Sequence, residues 1–167
     1  MSFSVYDLTV PTFTKFLPAL QNVLKKAEAD AQSRNIEPQV FLQARLAPDM
    51  FHLTRQVQIC TDQVKGGLSR LANVEVPSWA DDEASFADLQ ARLGKALGYA
   101  KTFKPKQFEG AEKRTIELKF PQATFTFTGE DYLLQFVLPN FYFHLTAAYA
   151  ILRHHGVQIG KRDFLGG

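Results

Sequence analysis

The stretch 138–156, LPNFYFHLTAAYAILRHHG, decides how this chain is read. It is almost entirely apolar and aromatic, yet Asn140 and His144 stand four residues apart within it. On a helix that spacing places both on one face. Leu133, Phe136, Val137, Ala147 and Ile151 fall on the same face, so an amide and an imidazole are embedded in apolar surface. A buried polar group without a partner costs about 1–3 kcal/mol. The pair therefore calls for a core hydrogen bond, a metal ion or a ligand.

Upstream, GEDYLLQFV at 129–137 carries the helical pattern back to Gly129. Gly156 suits the residue just past the helix end, and Arg153, His154 and His155 complement the negative end of its dipole. Pro139 is expected to interrupt the helix one turn before His144.

Three more long helices are expected. The first starts near Val10, with Thr9 as its cap and Pro11 in its first turn. Phe13, Phe16, Leu17, Leu20, Val23, Leu24 and Ala27 form its apolar stripe, and Pro18 should kink it or mark a later start. A short helical turn is expected over 37–44, with Pro38 near its first position. The second long helix opens in APDMFHLTRQ, with Pro48 and Asp49 in its first turn. Its stripe runs Leu46, Met50, Leu53, Val57, Cys60, Val64, Leu68, Leu71, with Gly66-Gly67 as a kink or a close contact. The third is capped by Ser85, carries Phe86, Leu89, Leu93, Ala96 and Leu97, and ends near Phe103 before Pro105.

Between 114 and 128 the period changes from helical to alternating. RTIELKF and ATFTFT flank Pro121-Gln122 and predict a β-hairpin before the last helix. The tail VQIGKRDFLGG reads as irregular. Four long helices with this hairpin predict an all-α four-helix bundle in a single domain, residues 1–167.

Composition narrows the function classes. At 167 residues the chain can bury a core without disulfides, and the single cysteine, Cys60, cannot form one internally. Net charge is +2 with Lys and Arg dispersed, which argues against a nucleic-acid partner. No run approaches the ~20 apolar residues of a membrane span, and the first residues lack a secretory pattern, so the expected location is cytoplasmic.

The second helix adds Asp49, His52, Gln56 and Gln63 as a polar band beside its stripe. Phosphate-binding glycine loops, HExxH, CxxC and G-x-S-x-G are all absent from the sequence. Cys60 sits on the core stripe and reads as a small hydrophobe rather than a nucleophile.

The stretches LAPDMFHLTRQVQ, FEGAEKRTIEL, LPNFYFHLTAAYAILRHHGV and IGKRDFLG together resemble the DUF1993 family of the DinB/YfiT-like superfamily. The resemblance covers essentially the whole chain. It implies a DinB-like four-helix bundle, commonly dimeric, with a central cleft that often holds a divalent metal. DinB-like proteins carry an HxxxH pair on the last helix, followed by an Arg and a Gly. Setting Arg153 and Gly156 on that pattern places His144 at the second histidine and Asn140 at the first. The third histidine would come from the second helix, where His52 is the candidate, with Asp49 one turn before it. A neutral Asn is a poor ligand for zinc, so the resemblance implies a degenerate site.

Three functions follow as expectations. One is a metal-dependent transferase or hydrolase, with His144 and His52 or Asp49 holding nickel or zinc. Another is a metal-free pocket in which Asp49, His52, Gln56, Asn140, His144 and Tyr149 bind a small organic ligand. The third is a structural or interaction homodimer, suggested by a last helix apolar around most of its circumference.

Overall fold

The computed structural model describes residues 3–167. Helix α1 spans Val5–Ser33 and starts earlier than the sequence suggests. Ser4, not Thr9, is the cap: its hydroxyl accepts from the Asp7 N–H, and the Asp7 carboxylate accepts from the Ser4 N–H. This reciprocal box satisfies two end donors. Thr9 lies inside the helix, with its hydroxyl donating to the Val5 carbonyl at 2.7 Å. Pro11 and Pro18 are both interior. Each removes a backbone bond, but the buried stripe Phe13, Leu17, Leu20, Leu24 holds the helix against the core.

After the short helix α2 (Pro38–Leu42) the chain turns through 44–52, and α3 spans Leu53–Leu71. Pro48 and Asp49 therefore lie in a turn ahead of the helix, not in its first turn. Leu46 is exposed rather than part of the stripe. The cap is His52, whose Nδ1 accepts from the Arg55 N–H at 3.4 Å. Gly66 and Gly67 do not break α3. A Cβ at Gly67 would lie 2.7 Å from Val137 Cγ1, so this glycine permits a close approach to the last helical run.

Helix α4 (Phe86–Thr102) is capped by Ser85 as expected. Strands β1 (Thr115–Phe120) and β2 (Ala123–Thr128) pair antiparallel, with Ile116 opposite Phe127 and Leu118 opposite Phe125. Ile116 and Leu118 turn into the core, while β2 is largely exposed.

The last helical run is α5 (Gly129–Asp131), a π-helical turn (Tyr132–Val137) and α6 (Leu138–His154). The Leu138 N–H reaches back five residues to the Leu133 carbonyl. The wider turn lies immediately ahead of Pro139, which cannot donate, so the run continues where the sequence suggests an interruption. Gly156 takes φ +90° past the helix end, as its position predicts. The tail is not irregular: α7 (Lys161–Leu165) folds back on α1, with Asp163 paired to Lys26 at 2.6 Å.

Helices α1, α3, α4 and α6 pack around one core that also takes in Ile116 and Leu118 of the hairpin. Helix α6 lies chiefly against α3, and α1 against α4. No helix among the described residues is long and apolar enough to cross a membrane.

Candidate functional site

The α3–α6 contact brings together two of the polar residues singled out in the sequence. His144 is 7% exposed and Gln56 is 1% exposed, and His144 Nδ1 lies 2.7 Å from Gln56 Oε1. Gln56 is itself oriented, because its Nε2 donates to the Phe51 carbonyl at 3.0 Å. With Oε1 fixed as the acceptor, His144 must carry its proton on Nδ1, which leaves the lone pair on Nε2. Burial, and then the positive charge of Arg55, lower the His144 pKa below that of a free imidazole. The ring is neutral at pH 7.

The other candidates do not join this pair. Asn140 is half-buried and donates from Nδ2 to the Phe136 carbonyl on its own helix at 2.7 Å. His52 is half-buried and occupied as the α3 cap. Its pKa is also lowered, by burial and by Arg45 and Arg55, against an opposing hydrogen bond to the Leu42 carbonyl. Asp49 is exposed in the preceding turn, and Gln63 is half-buried farther along α3. Tyr149 lies edge-on to Phe164 at 5.6 Å, where α7 covers α6. Cys60 is fully buried, and burial pushes its thiol pKa up, which leaves it unreactive.

A nickel or zinc centre needs three or more converging donors. Among the described residues, no three His, Cys, Asp or Glu side chains come together in that way. Asn140 offers a neutral amide already bonded to backbone, and His52 Nδ1 is used by the cap. His144 Nε2 stands without such company, so these residues do not fit such an ion.

A second polar cluster escaped the sequence reading. Arg92 is 4% exposed on α4 and bonds Thr61 Oγ1, the Ala80 carbonyl, Glu83 and Asp62 at 2.7–3.0 Å, with Asp81 at 2.9 Å. Burial alone would lower its pKa, but the Glu83 hydrogen bond and the three carboxylates raise it. Arg55 joins the same network through Asp81 at 2.6 Å and Gln58 at 3.2 Å. The available signal was an arginine at helical spacing between Leu89 and Ala96, on the buried face of α4. This network ties the 73–85 loop to α3 and α4.

The helical architecture with a hairpin ahead of the last helical run is that of a DinB-like protein. The family model for a domain of unknown function, DUF1993, matches residues 5–165, and the chain belongs to that family. It is also similar to a DinB family member protein from Shewanella denitrificans, known from a crystal structure. That likeness has a TM-score of 0.90 and 41% sequence identity, and covers 98% of this chain and 92% of the other. No curated protein matches.

Proposed function

We propose that this DUF1993 protein acts as a metal-free, self-associating bundle whose working surface is the outer face of α6. One observation supports this most directly. Tyr142 and Phe143 are 36% and 57% exposed, and Leu46 and Phe51 of the preceding turn are 41% and 53% exposed. Leu46, Met50, Pro139, Tyr142, Phe143 and Ala150 line an apolar groove of about 430 Å³ there. Apolar surface gathered in one place favours a partner, since burial contributes roughly 25 cal/mol per Å². A second copy of the chain is the partner proposed. Light scattering on the purified chain tests this: a dimer at micromolar concentration is expected, and Phe143→Glu should convert it to monomer. A wild-type monomer overturns the reading.

A second reading has its own support in the His144 tautomer. A neutral imidazole held by Gln56, with its lone pair on Nε2, is prepared to accept a hydrogen bond from a small organic ligand. Titration with nickel and zinc, monitored by calorimetry on untagged protein, separates both readings from a metal enzyme. Stoichiometric, tight metal binding would overturn them.

A further inference from the structure

At the opposite end of the last helical run from His155, a groove of about 580 Å³ opens between the start of α1, the 105–112 segment and the first turns of the run. That volume lies within the range of small-molecule sites. Its floor is apolar, with Leu8, Phe108 and Leu133 among the lining side chains. Phe108 and Leu133 are buried in the core, so this floor is fixed rather than mobile.

The wall is fixed as well. Gly129 packs directly against the Ala111 carbonyl, where any side chain would collide with backbone. This contact holds the 109–112 segment beside the start of the helical run.

Among the described residues the rim carries a single sign of charge. Glu109, Glu112 and Glu130 line the groove and are exposed. Among the described residues none of the three takes part in an ion pair, and no lysine, arginine or histidine lines the groove. The carboxylates are distributed around the rim and do not converge as a metal site would. Distributed negative charge above an apolar floor complements a diffuse cation on an apolar body, and it repels an anion of the same shape.

From this geometry we infer that the groove binds an organic cation, an amine or quaternary ammonium carried on an apolar or aromatic body. The apolar part lies on Leu8, Phe108 and Leu133, and the charged end lies among the three glutamates. This site is separate from the outer face of α6 and from His144.

The test uses the full chain with two probes of matched shape, 4-phenylbutylamine and 4-phenylbutyrate, followed by calorimetry and amide NMR shifts. The amine should bind saturably, with shifts confined to the groove, and at least about tenfold more tightly than the carboxylate. Its affinity should fall as salt is raised. The double variant Glu109→Gln with Glu130→Gln, both at exposed positions, should weaken the amine at least about tenfold while leaving the circular dichroism unchanged. Equal affinity for the two probes overturns the inference, as does undiminished binding in the glutamine variant. No saturable binding up to about 10 mM overturns it too.

Discussion

His144 Nδ1 and Gln56 Oε1 lie 2.7 Å apart, and this bond joins α6 to α3 inside an otherwise apolar contact. Its loss from either side should be costly. Gln56→Ala strands the Nδ1–H of His144 and the Phe51 carbonyl, for an expected loss of about 1–3 kcal/mol. His144→Leu alone strands Gln56 in the same way. The double replacement, Gln56→Leu with His144→Leu, removes both polar groups and should cost less than the two single changes summed. Urea unfolding of the four proteins measures the coupling.

The same pair sets a pH dependence. Burial and Arg55 lower the His144 pKa in the folded state, so the unfolded chain binds a proton more readily. Stability is then fully present above the unfolded histidine value of about 6.5, and it is lost as pH falls below that toward the folded value. His52 acts in the same direction. Each contributes a slope of at most about 1.4 kcal/mol per pH unit. Denaturant midpoints between pH 7.5 and 5 should fall, and the fall should be shallower in His144→Gln. A pH-independent midpoint would contradict the burial argument.

Gly67 should resist the substitution that normally helps a helix. Replacing an interior glycine by alanine ordinarily gains about 1 kcal/mol. Here the new Cβ meets Val137 Cγ1 at 2.7 Å, and Val137 is itself fully buried. Gly67→Ala is expected to destabilise by about 1–3 kcal/mol, in the range of overpacked cores. Gly67→Ala combined with Val137→Ala should recover part of that loss, measured as the melting temperature.

Arg92 supports three carboxylates from a buried position. Arg92→Met leaves the nearly buried Glu83 without its countercharge, while Asp62 keeps Lys65 and Asp81 keeps Arg55. The expected cost is about 3–5 kcal/mol, because uncompensated buried charge dominates. Hydrogen exchange should show the 73–85 loop opening first, since the arginine also holds the Ala80 carbonyl.

Much of the fold was legible because apolar spacing survives in any context. The stripe of α1, that of α3 from Leu53 to Leu71, the Ser85 cap and the alternation of 115–128 fold as their periods predict, whereas Leu46 and Met50 lie in the turn ahead of α3. Element starts were less legible where two caps competed. Ser and Thr are both capping residue types, and the reciprocal bond available to Ser4 through Asp7 made Ser4 the cap and left Thr9 inside the helix. Pro48 and Asp49 imitate a first helical turn, but the chain does not become helical until Leu53, with His52 as the cap. The short α7 lacked any stripe of its own. It forms because Asp163 meets Lys26 and Phe164 meets Phe16 on α1, far away in sequence, with Tyr149 of α6 completing the contact.

The sequence by itself determined the helical periods, the hairpin, the four-residue spacing of Asn140 and His144 on α6, and the absence of an internal disulfide. Those are local properties, written in spacing and residue type. Only the tertiary structure decided which polar groups meet. It paired His144 with Gln56, 88 positions apart, turned Asn140 back onto its own helix, and left Asp49 in solvent. It also buried Arg92 among carboxylates from α3 and the following loop. Hydrogen bonds of this kind depend on distances of about 3 Å between separate elements. No periodicity along one chain encodes those distances until the helices have packed.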